Sequence, residues 1–284
     1  CIKNKRSNLL YYDAINKILI KKKVLAPSLI SQNYAKNYLE IEDFGDLTVF
    51  KKFKKKSTNK KIYYKKILDL LLKIKKIKIK SQKTFLKTNY KIPNYTSKML
   101  FDEANLFIDW YLSKYYKGKN IKTINKKFKL IFKNLLKNIS YKEKVFVHRD
   151  FHISNIMITP NGLGLIDNQD AVYGNIAYDL ASLIDDVRFR TNNKIKNYIF
   201  NEFIKKNKSL DCKKFKQDFE ILSVLRNFKI IGIFTRLSVR DKKHKYLKLI
   251  PYAWQMINNR SANNLIFKDL NNLLIKYFKK KLEY

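Results

Sequence analysis

His148-Arg149-Asp150-Phe151-His152-Ile153-Ser154-Asn155 leads into Ile156-Met157-Ile158, the turn Thr159-Pro160-Asn161-Gly162, and Leu163-Gly164-Leu165-Ile166, and the stretch closes on Asp167. Two short apolar runs joined by a Pro- and Gly-containing turn predict a tight hairpin. Val145-Phe146-Val147, just before it, reads as a short buried strand. A hairpin sets its two ends side by side, so Asn155 and Asp167 are expected to meet although twelve residues apart. An amide oxygen and a carboxylate are the hard donors that Mg²⁺ prefers, with water and phosphate filling its other positions. A His-Arg-Asp run alone often does no more than satisfy backbone groups. The hairpin, with an oxygen donor at each end, is what gives this one a chemical reading.

Outward from the hairpin the chain is mostly helical. Residues 8–22 place Leu9, Leu10, Ala14, Ile18 and Leu19 at near-helical spacing, and Pro27 ends that region. Asn37 to Asp46 reads as a short strand running into a glycine turn at Gly45. A lysine-dense helical region is expected over Lys51–Lys80, with Ile67, Leu70, Leu71 and Ile74 as its apolar stripe. Further helices are expected over 99–116 and 123–137, and from Asp179 to the C-terminus. Six glycines and four prolines in the chain leave no flexible linker, and there is no internal repeat.

At 284 residues and 45% hydrophobic, the composition is globular and long enough for a sizeable core. No apolar stretch reaches the ~18 residues of a membrane span, so no membrane partner is expected. Two cysteines give no disulfide framework, which points to a reducing cytoplasm. The net charge of +39 comes from 62 basic residues, only eight of them arginine. The lysines are spread along the whole chain with no nucleic-acid motif, so they read as solvated faces and no specific nucleic acid is expected. A basic surface binder of RNA or lipid is the reading this sets aside.

The order His-Arg-Asp, Asn five residues after the aspartate, then an aspartate beyond a hairpin resembles the catalytic loop of kinases. Phosphoryl transfer needs a carboxylate to orient the acceptor hydroxyl and take its proton, the role implied for Asp150. It also needs Mg²⁺ on the phosphate oxygens of ATP, implied for Asn155 and Asp167. His148 reads as a buried imidazole bracing the loop; His152 reads either as a contact to substrate or as packing. His152 in place of a lysine, and Asp167-Asn168-Gln169-Asp170 in place of Asp-Phe-Gly, resemble the aminoglycoside phosphotransferase and choline kinase superfamily. Within it, the run from Asp167 to Leu183 is similar to the bacterial anomeric kinases of N-acetylmuramate and N-acetylglucosamine. Leu39–Asp46 resembles their lobe hinge and Gly232–Asp241 their late helix, so the resemblance covers roughly residues 9–258.

The resemblance implies an α+β, protein-kinase-like two-lobed fold. A truncated N-lobe would occupy residues 1–43 and end in the hinge strand, and a mostly helical C-lobe would occupy 44–284. Backbone groups around Ile41, Glu42 and Asp43 would meet the adenine edge, and Asp179 would brace the catalytic loop. Glu103, Trp110 and Tyr111 fall where the family lines its sugar pocket, although the two aromatics read equally well as helix core. Gln169 and Asp170 lie close to where an acceptor hydroxyl would meet Asp150. Arg226, Arg236 and Arg240 are candidate planar donors for a carboxylate or phosphate, with ion pairs to helix carboxylates as the other reading. The implied partners are a nucleotide and a small-molecule sugar acceptor. The alternatives are a kinase of a choline- or aminoglycoside-like alcohol, and a pseudokinase or binding module. No glycine precedes Gly45, there is no G-x-G-x-x-G, and only Lys3 offers a remnant of the phosphate-binding lysine. The first N-lobe strands are therefore expected outside this sequence, with a fused upstream domain as a further partner.

Overall fold

The computed structural model describes residues 5–55 and 57–282, which divide into two units. Lys3 lies outside the described residues. The first unit comprises the chain up to Asn94 together with Glu143–Ile184 and Asn192–Lys208; the second comprises Tyr95–Lys142, Asp185–Thr191 and the chain from Ser209.

In the first unit, helix α1 (Lys5–Lys21) buries Ala14, Ile15, Ile18 and Leu19 on one face. It is followed by an antiparallel pair, β1 (Leu29–Asn33) with β2 (Tyr38–Ile41). The lysine-dense region is not one helix. It forms α2 (Val49–Phe53), a turn, and α3 (Lys60–Lys75), and then a small hairpin of β3 (Ser81–Lys83) and β4 (Asn89–Lys91). Local polar groups break the helix: the Thr58 hydroxyl donates to the Lys52 carbonyl at 2.9 Å, and Asn59 starts α3 from extended backbone. Such residues compete with the helix for its backbone hydrogen bonds. The expected stripe of Ile67, Leu71 and Ile74 is buried, joined by Tyr64 and Leu68.

Two antiparallel ribbons then frame one end of this unit. Strand β5 (Lys144–Val147) pairs with β8 (Val172–Asn175), Val147 opposite Val172. Between them in sequence, β6 (Ile156–Thr159) and β7 (Gly162–Leu165) make the expected hairpin, with Ile156 opposite Leu165. Gly162 takes φ +121° at its turn, a conformation that suits glycine. The hairpin is anchored on both edges, by Ile158 N–H to the Leu47 carbonyl and Leu165 N–H to the Leu25 carbonyl, each 2.8 Å. Residues 148–155 and 166–171 are thus strung between the open ends of two fixed ribbons. The unit is completed by α7 (Ala177–Ile184), buried throughout, and α8 (Asn193–Lys205), capped by Asn192.

The second unit is helical. Helix α4 (Ser97–Leu106), capped by Thr96, passes into a π-helical turn (Phe107–Leu112) and the short α5 (Ser113–Tyr115). It packs with α6 (Ile121–Lys137), the long α9 (Cys212–Val239), α10 (Ile250–Ser261) and α11 (Lys268–Leu282). Phe107 is the hub of an aromatic core that includes Tyr111, Phe128, Phe228, Trp254 and Phe278. A polar cluster is buried here too: Arg260 grips Asp185 through two hydrogen bonds of 2.8 and 2.9 Å, and Ser223 donates to the same carboxylate at 2.6 Å.

Candidate active site

Two non-glycine residues of the framed segment sit in left-handed backbone, Arg149 at φ +73° and Asp167 at φ +64°. Such conformations persist only where surrounding contacts over-determine them. For Arg149 that contact is Asp179, in the first turn of α7 and 2% exposed. Its carboxylate accepts the amide N–H of His148 at 2.7 Å and of Arg149 at 3.0 Å. Burial pushes the Asp179 carboxyl up to about 6, against the opposing pull of His148 and of the two amides. Arg149 also turns its guanidinium to the Asp170 carbonyl at 3.3 Å.

Asp150 is half-buried, and its carbonyl accepts from the His152 amide at 3.0 Å and from Asn155 Nδ2 at 3.1 Å. With Nδ2 occupied, the Asn155 Oδ1 is the end of that amide left to face a ligand. The Asn155 carbonyl accepts from Ile166 N–H at 3.1 Å, extending the hairpin register by one pair and setting Asn155 across from the residue before Asp167. The Asp167 side chain is exposed, and Gln169 Nε2 donates to its Oδ1 at 2.9 Å. His148 is fully buried, and its Nε2–H points at the Asn168 Oδ1 (2.8 Å) and the Ile166 carbonyl (3.2 Å). His152 is 4% exposed, folded into the loop interior. Burial pushes the Tyr12 phenol on α1 above its ordinary value; a hydrogen bond with Asn16 opposes the shift and the charge of Asp167 adds to it. Tyr12 therefore lies within electrostatic reach of Asp167.

The model of the phosphotransferase enzyme family matches residues 100–197, a span that contains this whole loop system. That part of the chain is similar to the family. The N-acetylmuramate/N-acetylglucosamine kinase of Neisseria meningitidis serogroup B is 30% identical over 191 residues, 65% of this chain and 57% of that protein. The match thus spans little more than half the length of that relative. The kinase of the same name from Pseudomonas aeruginosa is 25% identical over 257 residues, covering 88% of this chain and 73% of its own. Among solved structures, ADP-bound aminoglycoside phosphotransferase APH(2'')-Ib aligns with a TM-score of 0.56 at 16% identity, covering 89% of this chain and 84% of that one. Plasmodium vivax ethanolamine kinase aligns at 0.58 and 15% identity, covering 99% and 75%. The fold is the α+β, protein-kinase-like fold of these phosphotransferases.

The donor set of this loop system fits Mg²⁺. Among the described residues no group of three or more His, Cys, Asp or Glu gathers as a cage. One carboxylate and one amide oxygen, on backbone paired through Asn155 and Ile166, suit an ion that keeps water and phosphate in its shell. At the hinge, Glu42 N–H donates to the Ser28 carbonyl (2.9 Å) and its carboxylate accepts from the Ser28 hydroxyl, also at 2.9 Å. Asp43 Oδ1 accepts from Gly45 N–H at 2.7 Å, and Ile41 ends β2 with its side chain 36% exposed. The Glu42 amide is therefore committed within the hinge turn.

The remaining candidates belong to the second unit. Glu103 accepts from the Tyr95 hydroxyl and pairs with Lys229 at 2.8 Å. Tyr111 is buried, stacked on Phe107 at 5.3 Å, while Trp110 is half-buried. Arg226 is 4% exposed, and Arg236 holds a buried Nε with no hydrogen-bond partner among the described residues. Arg240 is committed to its neighbour Asp241, through bonds of 2.7 and 2.9 Å. Sequence reasoning quoted Asn168 without giving it a role and passed over Asn16; both are buried in the first unit beside His148.

Proposed function

We propose that this chain transfers the terminal phosphoryl group of ATP to a sugar hydroxyl, and that the sugar is N-acetylmuramate or N-acetylglucosamine, accepted at its anomeric hydroxyl. The observation that carries the reading is the loop strung between two ribbons, in which Asn155 bonds the Asp150 carbonyl and pairs with Ile166, the residue before Asp167. The names of the sequence relatives support the acceptor.

Asp150 orients the acceptor hydroxyl and takes its proton as the oxygen attacks. An anomeric hydroxyl is more acidic than an ordinary alcohol, so a carboxylate base suffices with modest help. Asn155 Oδ1 and Asp167 would hold Mg²⁺, which when bound offsets the negative charge of the phosphate oxygens. Asp179 fixes the turn at His148 and Arg149, so Asp150 is presented by backbone that does not need to reorganise. Backbone groups around Ile41 and Asp43, beside the committed Glu42 amide, would meet the nucleotide base.

The test is a panel of acceptors at matched concentration with ATP and Mg²⁺, using the full-length protein. Nucleotide consumption and the position of the new phosphate are read by NMR. The expected result is phosphate on the anomeric oxygen of an amino sugar. Phosphorylation of choline or an aminoglycoside, with the amino sugars inert, would sink the acceptor assignment.

A further inference from the structure

Beneath the exposed carboxylate of Asp167 lies a chain of buried polar side chains. Asn16 is 3% exposed, Asn168 and His148 not at all. Asn168 Nδ2 donates to Asn16 Oδ1 at 2.8 Å and to the Leu165 carbonyl at 3.1 Å. Its Oδ1 accepts from His148 Nε2–H at 2.8 Å, and the same N–H reaches the Ile166 carbonyl at 3.2 Å. Asn16 Nδ2 in turn donates to the Pro27 carbonyl at 2.9 Å, on the segment between α1 and β1.

The inventory of donors and acceptors allows one arrangement. Both Nδ2 hydrogens of Asn168 point at oxygens and its oxygen faces an N–H, so flipping the amide would break all of these bonds. The imidazole must carry its proton on Nε2, and Nδ1 has no hydrogen-bond partner among the described residues. The bonds converge on the two residues flanking Asp167. The Ile166 carbonyl is held from one side and the Asn168 side chain from the other, while Asp167 itself sits at φ +64°. Backbone in that region needs such over-determination.

We propose that Asn168, with Asn16 as its partner on α1, is a positioning residue. The buried bridge Asn16–Asn168–His148 fixes the backbone of Asp167 and the catalytic loop to helix α1, so that the metal-facing carboxylate is aimed by where α1 sits. The placement stands on the hydrogen bonds; only the word metal rests on the proposed function.

Apolar side chains of similar volume fill such a site without the penalty of an orphaned amide, whereas removing one partner leaves the other unpaired and buried. Asn16→Leu and Asn168→Leu are therefore each expected to lower the melting temperature, and the double variant to lose less than the sum of the two. Neither amide is then orphaned by the other, while the Pro27 and Leu165 carbonyls still lose their donors. The double variant separates aiming from mere stability. Peptides covering 148–155 and 165–171 should exchange amide hydrogen at least about tenfold faster than in the wild type, while peptides from the second unit change much less. The Mg²⁺ concentration for half-maximal nucleotide consumption should rise about tenfold, with a smaller change in kcat. Unchanged exchange and unchanged Mg²⁺ dependence in a folded double variant overturn the proposal. Should the double variant fail to fold, the wild type decides: NMR must show His148 protonated on Nε2 and slow exchange of the Asn168 side-chain amide. The opposite tautomer, or fast exchange, overturns it. A wild type that consumes no nucleotide counts against the proposed function, and the exchange and tautomer data then judge the bridge alone.

Discussion

Asp179 holds a negative charge out of contact with water, and the two amide N–H groups it accepts only partly offset that. The folded state therefore prefers the protonated carboxyl, with a value near 6 against 3.8 for the free side chain. The sign for stability follows. Asp179 favours the fold most below about pH 4, and that contribution is lost as pH rises through 6, a cost on the order of 3 kcal/mol. Function runs the other way, because a protonated carboxyl is a much weaker acceptor of N–H groups than a carboxylate, and the His148–Arg149 turn loses part of its brace. Turnover is thus expected to fall as pH drops through about 6 while this residue makes no contribution to acid unfolding. Pairing pH–rate profiles with thermal melts for the wild type and Asp179→Asn checks both halves. An acid limb near 6 that survives in the variant assigns the limb to another group. At Asp150 the expectation is simpler. Asp150→Asn should lower turnover by about two to four orders of magnitude, the range for a general base, and leave nucleotide affinity nearly unchanged. A turnover number equal to the wild type removes Asp150 from its role.

At the scale of elements, the second unit depends on one close crossing. A Cβ on Gly232 of α9 would stand 2.3 Å from the Leu106 carbonyl carbon and 2.6 Å from the Phe107 nitrogen, where α4 becomes the π-helical turn. Alanine favours an exposed helix interior over glycine by about 1 kcal/mol. Here the contact is with backbone that cannot rotate away, and overpacking of this kind costs about 1–3 kcal/mol or more. Gly232→Ala is expected to lower the melting temperature; a rise would show that α9 and α4 can part without loss. Gly232 was readable in the sequence only as part of a motif, because its reason is a neighbour more than a hundred residues away. The same distinction explains what else was legible. The β6–β7 hairpin announces itself through its own turn and apolar runs, and α6 through its periodicity. Strand β8 was quoted as motif and not as strand, since Val172–Asn175 is extended only because β5 pairs with it. The break between α2 and α3 was masked by lysine, which says little about helix ends. The pairing of Asn155 with the residue before Asp167 was legible because a hairpin fixes the geometry of its own ends. Asn168 was not assigned, because a polar residue in a loop looks solvated until the fold buries it.

At the scale of the whole molecule, charge is the dominant fact: 62 basic residues face 23 acidic ones, a net +39. The lysine ion pairs on the surface are of the exposed kind, such as Lys98 with Asp102 at 2.7 Å and Lys78 with Glu143 at 3.5 Å, and such pairs contribute little. Most of the positive charge therefore repels itself through solvent. Two consequences share this cause and have opposite signs in salt. Self-repulsion opposes the compact state, and screening relieves it, so raising sodium chloride from low to physiological concentration should increase the melting temperature by a few degrees, ~1 kcal/mol. Attraction to polyanions is weakened by the same ions, because each phosphate contact releases bound counterions and the gain shrinks as bulk salt rises. Duplex DNA or RNA should accordingly bind weakly, without regard to sequence, and let go over the salt range that stabilises the fold. Titrating two unrelated duplexes at several salt concentrations, alongside thermal melts in the same buffers, reads both trends at once. A complex that favours one duplex and persists well above physiological ionic strength would mean that the lysines form a built surface and not a solvated one.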